Sequence, residues 1–206
     1  DLLQGANPVT VTGLRTDQLV NPMGLDSECP RLGWQIQSSK KNVMQTAYHL
    51  LVASSPVLLE KEVGDLWDSG TVKSDASLWI PYGGGKLKPN QRCYWKVKVS
   101  TTQGDSGWSA PARWSMGLQG ESHWQGQWIG MDKPAPWDSD TQWSRLSSRY
   151  LRKEFTVKKQ VKQATVHIAG LGMYELYING MRIGDQVLAP VPTDYRKTIV
   201  YNTFDI

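Results

Sequence analysis

The sequence predicts an all-β protein made of two successive sandwich-like units. Three observations carry that expectation. Short alternating apolar and polar runs recur along the chain, broken by Gly, Pro, Asn and Asp, which is the rhythm of sandwich strands and their turns. Only one stretch carries the marks of a helix. The aromatic residues are 10 Trp and 8 Tyr against 2 Phe, and Trp and Tyr fill a sheet core while keeping a polar edge.

Taken in order, Arg31–Gln37 and Ala47–Ala53 read as strands bounded by turn residues. The helix follows at Ser55-Pro-Val-Leu-Leu-Glu-Lys-Glu. Ser55 suits the N-cap, Pro56 the first helical position, and Gly64 stops the run after about two turns. Leu66-Trp-Asp-Ser-Gly leads through a turn to Ser77–Tyr82, and Gly83–Gly85 is a flexible loop. The clearest strand is Cys93–Val99. Strand side chains alternate, so Cys93, Trp95, Val97 and Val99 share one face while Tyr94, Lys96 and Lys98 share the other. A turn at Gly104–Gly107 precedes Trp108 and the run Ala112–Met116, giving about seven strands over roughly 110 residues.

Gly117–Ser122 is the best linker, which assigns the units to residues 1–118 and 119–206. After Trp124, Trp128 and a Pro/Asp/Ser-rich stretch at 132–148, strands are expected at 150–157, 163–169, 173–180 and 198–206. Asn179-Gly180 is a strong hairpin signal. A two-sheet sandwich must cover both inner faces and protect its edges. With about five strands and no closing turn, the second unit is expected to be incomplete, and the chain a piece of something longer.

At 206 residues the chain fits one large domain or two small ones, at about 150 residues per domain. Charged residues make up 20%, which suits a soluble globular chain rather than a disordered one. No apolar run approaches the roughly 18 residues of a membrane span. The net charge is +4, from 23 Lys and Arg against 19 Asp and Glu. The densest basic cluster is Arg149, Arg152, Lys153, Lys158, Lys159 and Lys162, in an alternating segment. It reads as a solvated sheet face, because a nucleic-acid stripe would interleave basic residues with stacking aromatics. Cys29 and Cys93 fit no metal spacing. A disulfide between them and a pair of buried thiols both stay open. The chain opens without a basic segment followed by an apolar one, so a signal peptide is absent or already removed.

Chemistry-bearing residues are sparse, and no cofactor is expected. His49, His123 and His167 have no partner at metal or triad spacing and read as structural or surface residues. The pairs Asp65/Asp68, Asp138/Asp140 and Asp185/Asp194 could in principle act as acid and base in glycoside hydrolysis. All are expected in turns, where Asp bonds nearby backbone N–H groups, and that reading is the stronger. Gly83-Gly-Gly-Lys lacks the spacing of a phosphate loop. Trp137 and Trp143, in the irregular segment beside Asp and Gln residues, are candidates for a sugar-stacking platform, or else pin a long loop to the sandwich. Asp194 and Tyr195 complete the candidate sugar contacts.

An ordered set of phrases then points to one family. They are Asn21-Pro-Met-Gly-Leu-Asp, Pro30-Arg-Leu-Gly-Trp, Gln45-Thr-Ala-Tyr, Leu66-Trp-Asp-Ser-Gly and Tyr94-Trp-Lys-Val-Lys-Val. Trp108-Ser, Trp114-Ser-Met-Gly, Trp128-Ile-Gly, Tyr177-Ile-Asn-Gly-Met-Arg-Ile-Gly, Leu188-Ala-Pro and Thr193-Asp-Tyr-Arg-Lys follow, with Val200-Tyr last. Together they resemble the N-terminal region of bacterial α-L-rhamnosidases, glycoside hydrolase family 78. The resemblance implies a fibronectin-III-like or immunoglobulin-like sandwich, then the start of a second, rhamnosidase N-terminal β-sandwich of jelly-roll type. It implies an (α/α)6-barrel further along the same polypeptide, whose carboxylates cleave terminal α-L-rhamnose with inversion. On that basis this chain holds no catalytic residue, is inactive alone, and belongs to a periplasmic or extracellular protein. A stand-alone carbohydrate-binding module and an adhesion-type sandwich pair are the alternatives. One departure stands out: Leu87-Lys-Pro-Asn-Gln-Arg-Cys puts Cys93 where a fibronectin-like tyrosine corner would place Tyr.

Overall fold

The structure is a computed structural model that describes residues 9–131, 136, 138 and 147–206. Two antiparallel sheets face each other in the first part of the chain. One joins β1 (Val9–Thr16), β2 (Arg31–Ser38) and β5 (Ile80–Pro81). The other joins β4 (Trp67–Lys73), β3 (Gln45–Ala53) and β6 (Arg92–Thr101), with β7 (Gly104–Asp105) and β8 (Ala112–Ser115) both pairing the free side of β6.

The alternation expected along β6 is observed. Cys93, Trp95, Val97 and Val99 are all buried and meet Val9, Val11, Leu32, Trp34, Leu50 and Trp114 between the sheets. Aromatic edges lock this layer, with Trp34 T-shaped on Tyr48 at 5.2 Å and Trp67 on Tyr82 at 5.6 Å. One polar chain inside is matched, whereas Trp95 Nε1 and Trp114 Nε1 are buried without a partner among the described residues. Trp34 Nε1 donates to Gln45 Oε1, and Gln45 Nε2 donates in turn to the carbonyls of Ser74 and Ala76. The chain between β7 and β8 leaves the ladder, and two buried serines stand in for backbone. Ser106 Oγ accepts from Val99 N and Ser109 Oγ from Val97 N, which keeps these buried N–H groups paired.

The unbroken apolar run in β3 has a second explanation. Tyr48, Leu50 and Val52 face the sandwich core, while Leu51 and Ala53 pack outward beneath Leu59 of helix α1 (Pro56–Glu60). A strand covered on both faces loses its polar alternation. Ser55 caps α1 by accepting from Leu58 N, and Pro56 sits at the first position, as the sequence predicts.

Several expectations are corrected. Asp68 lies in strand β4 rather than in a turn, and Ser77–Tyr82 contributes only the two-residue β5. Both cysteines are free; Cys29 is exposed, whereas burial pushes the Cys93 thiol up to about 12. Residues 150–157 form no strand and are exposed, so the basic cluster sits on no sheet; its lysines and Arg152 are solvated, while Arg149 is half-buried against Asp138. Period-2 alternation marks a strand only when a neighbour supplies the ladder, and none of the described residues pairs with this segment.

Four short strands follow. β9 (Thr165–Ala169) pairs with β12 (Tyr201–Asp205), and β10 (Leu176–Ile178) pairs with β11 (Met181–Ile183) across Asn179-Gly180. Both turn residues have positive φ, 51° and 81°, which is the backbone an Asn-Gly hairpin turn requires.

Candidate functional site

The site best defined by geometry is the seam where the β9–β12 ladder docks on the sandwich. It begins with the phrase Asn21–Asp26, which the backbone lays along the outer edge of β8. Asn21 Oδ1 accepts from Arg113 N at 2.9 Å, Ser115 N donates to Pro22 O, and Leu25 N donates to Ser115 O. Gly117 N closes the run by donating to Leu25 O at 2.7 Å. A loop so held presents the Asp26 carboxylate beside Leu118.

Tyr201, the first residue of β12, enters that notch. Its hydroxyl accepts from Leu118 N and donates to Asp26 Oδ1, both at 2.9 Å. Burial, with Asp26 adding to it, raises the phenol above its ordinary value, so the proton that Asp26 needs stays on the oxygen. Trp124 and His167 set their rings edge-on against Tyr201, at 5.3 and 5.7 Å. Two glycines make room. A Cβ on Gly117 would fall 2.3 Å from the Tyr201 hydroxyl, and one on Gly24 would fall 2.4 Å from Thr203 Oγ1.

The ladder adds three more ties. His167 lies opposite Thr203 in the register. Its Nε2 reaches Asn90 Oδ1 at 2.5 Å and its Nδ1 reaches Thr203 Oγ1 at 2.9 Å. Asn90 Oδ1 can only accept, so Nε2 carries the proton and Nδ1 accepts from the threonine hydroxyl. Burial lowers the pKa of this ring from its usual value near 6.5, consistent with a neutral imidazole. Arg92 pairs with Asp205, and Gln163, with its amide oxygen turned inward, accepts from Arg92 Nε at 2.6 Å. This chemistry positions rather than reacts: it fixes one ladder against one sheet edge.

The other candidates fall as follows. Trp137 and Trp143 lie outside the described residues. Asp194 opens an exposed turn, accepting from Arg196 N, Nε and Nη2, and these bonds hold its carboxyl below the usual range. Tyr195 follows in the same turn and is partly exposed. Asp65 is bonded to Ser54 N and Oγ, and Asp138 is held by Ser147 and Arg149. His49 Nε2 pairs with Asp68 at 2.6 Å. Ser69, next to that pair, is committed to Leu50 N and Gly70 O. Among the described residues no group of three His, Cys, Asp or Glu could hold a metal, and no helix is long and apolar enough to cross a membrane.

Sequence reasoning did not single out Asp26, Asn90, Arg92, Thr203 or Asp205 as site residues. Gly24, Asp26, Gly117 and Tyr201 do stand inside the resemblance phrases quoted above, and the seam gives the physical reason those phrases occur together.

Comparison with known proteins matches two stretches of the chain. Residues 11–120 match the family described as the Rha78A-like, N-terminal immunoglobulin domain, and residues 159–206 match the alpha-L-rhamnosidase N-terminal domain. An alpha-L-rhamnosidase of Formosa agariphila is 36% identical over 90% of this chain and 21% of its own length. The structure of alpha-L-rhamnosidase from Dictyoglumus thermophilum superposes with a TM-score of 0.84 at 34% identity, covering 98% of this chain and 24% of that one. The Streptomyces avermitilis alpha-L-rhamnosidase complexed with L-rhamnose gives a TM-score of 0.58 at 27% identity, over 96% of this chain and 20% of its own. The chain thus spans about a fifth of the length of the curated relatives it matches. It belongs to the Rha78A-like N-terminal immunoglobulin domain family and corresponds to the N-terminal region of α-L-rhamnosidases.

Proposed function

We propose that this chain is the non-catalytic N-terminal region of an α-L-rhamnosidase that removes terminal α-L-rhamnose with inversion, in an (α/α)6-barrel outside these 206 residues. Its role is to support that barrel. One observation carries the reading: the second unit leaves its apolar side chains bare. Phe155, Val187 and Val191 are each more than 70% exposed, and Leu151, Met173, Tyr177 and Met181 are more than half exposed. Large contiguous apolar exposure marks a surface meant to be covered, and four-fifths of the relatives' length lies beyond the matched region. The partner for the unpaired segment 150–157 belongs to that remainder in this reading. The parent is exported to the periplasm or cell exterior, and the exposed Asp194–Tyr195 turn contacts a rhamnose-bearing glycan, with Trp137 and Trp143 as the candidate stacking residues by sequence.

The test compares this chain with the gene product extended downstream, using an aryl α-L-rhamnoside. The extended protein is expected to turn over with inversion and the 206-residue chain to be inert. Turnover that copurifies with the short chain, or a full-length product with no rhamnosidase activity, overturns the reading.

A further inference from the structure

The sandwich carries a second concave feature, distinct from the seam in its residues and its chemistry. An open cleft of about 340 Å³ lies on the outer face of the β1–β2–β5 sheet. Its walls carry Arg15, Gln18, Arg31, Gln35 and Trp79. That volume lies at the lower end of ligand pockets, about 300–1,000 Å³.

Each wall residue is there for a backbone reason. Along β1 the inward row is Val9 and Val11, so unbroken alternation would send Arg15 into the core. Between Thr12 and Arg15 the register slips against Gln35 and Gly33, and Gly13 adopts φ 61°. That bulge returns Thr16 to the core and turns Arg15 outward. Bulges are a known device for re-aiming a side chain at a site. On β2, Arg31 and Gln35 flank Gly33, whose missing side chain leaves room for Leu78 and the Ser77 carbonyl. Trp79 has φ 60°, a left-handed conformation that a bulky residue adopts only when its surroundings impose it. The result is a half-exposed indole with the Arg31 guanidinium stacked 4.1 Å from its ring centre.

The charge is one-sided. Two guanidinium groups line the cleft and no carboxylate does; Asp17, just outside, accepts from Arg31 N and from its Nε at 3.5 Å, so Arg15 carries the charge that no carboxylate meets. Arg15 is exposed and spends one nitrogen on Gln18 O, leaving a planar donor fork suited to a carboxylate. An indole platform, two side-chain amides and the remaining donors of the Arg15 guanidinium match a pyranose ring with an acidic substituent.

We infer that this cleft binds an acidic saccharide, one sugar ring packed on Trp79 with its carboxylate on Arg15. The site rests on geometry; the choice of a saccharide over another anion rests on the rhamnosidase reading. Calorimetric titration of the 206-residue chain with a uronic-acid tetrasaccharide and with its carboxyl-reduced counterpart tests it. Saturable binding is expected for the acidic sugar alone, weakening as salt rises. Trp79→Gly suits the left-handed backbone, so it removes the ring without straining the fold, and it is expected to weaken binding about tenfold. Arg15→Gln is expected to abolish the preference for the acidic sugar. No binding at millimolar sugar, equal binding of the reduced sugar, or binding unchanged by both substitutions overturns the proposal. None of these outcomes depends on whether the extended protein hydrolyses rhamnosides, so the two readings fail separately.

Discussion

The sandwich and the strands that follow it use the same residue types and reach opposite states. In the sandwich the inward rows of two sheets meet, and Trp34, Trp95 and Trp114 are each at most 1% exposed. In the β9–β12 ladder no side chain is fully buried, although β9 reads Thr-Val-His-Ile-Ala and β12 contains Phe204. The difference lies in what faces each strand. Apolar alternation stabilises a sheet only through the area it removes from water, about 25 cal/mol per Å². The first unit supplies its own facing sheet. The second borrows a single edge of the first, through Tyr201, His167 and Asp205.

The sharpest way to break this comparison is a pair of aromatic deletions. Trp95→Ala empties the centre of the sandwich and is expected to cost about 3–5 kcal/mol, a large part of a typical domain's total. Phe204 is half-buried and touches the bare glycine Gly184, so Phe204→Ala is expected to cost less than half as much. Urea midpoints followed by circular dichroism measure both. Equal losses would mean that the second unit is as well packed as the first.

How far the sequence showed this contrast depends on which signal each element gives. Local signals were legible. The Ser55-Pro56 cap produced α1, Asn179-Gly180 produced its hairpin, and the alternation from Cys93 to Val99 produced the central strand. Segment 150–157 alternates just as well and is not a strand, because pairing is a property of two segments and only one is visible in a local pattern. The Trp79 cleft was missed for a related reason. Ser77–Tyr82 alternates like a strand, but Trp79 breaks it with a left-handed backbone. The seam was half legible: the phrases containing Gly24, Asp26, Gly117 and Tyr201 supported the resemblance, while what joins them is tertiary. No spacing rule brings Asp26 to a tyrosine 175 positions away.

The seam itself gives the intermediate effect. Tyr201→Phe keeps the ring against Trp124 but leaves Leu118 N and Asp26 without their shared partner. A loss of about 1–2 kcal/mol is expected, and it should be local. Hydrogen exchange would quicken at residues 165–169 and 201–205 while the sandwich strands keep their protection. Faster exchange throughout would show that the two regions fold as one cooperative body. Asp205→Asn weakens a partly exposed ion pair with Arg92 and is expected to cost less than about 1 kcal/mol.

The smallest effect is a pH dependence confined to the seam. His167 is neutral in the docked ladder, between Asn90 and Thr203, with Tyr201 edge-on, and burial lowers its pKa. Its titration therefore favours the undocked chain on acidification. An exposed His167 gains its proton near pH 6.5, whereas the docked ring resists until a lower pH. Docking is at full strength above about 6.5, weakens as pH falls through the interval between the two values, and levels off below the docked one. Exchange protection of the β9 and β12 amides, corrected for intrinsic rates, should be flat from pH 8 to 7 and decline towards pH 5. His167→Gln can still donate to Asn90 and does not titrate, so in that variant the decline should vanish. Protection that rises on acidification would require a charged imidazole in the docked state. The assignment of Nδ1 as an unprotonated acceptor, and the reading of this ring as a neutral clasp, would then be wrong.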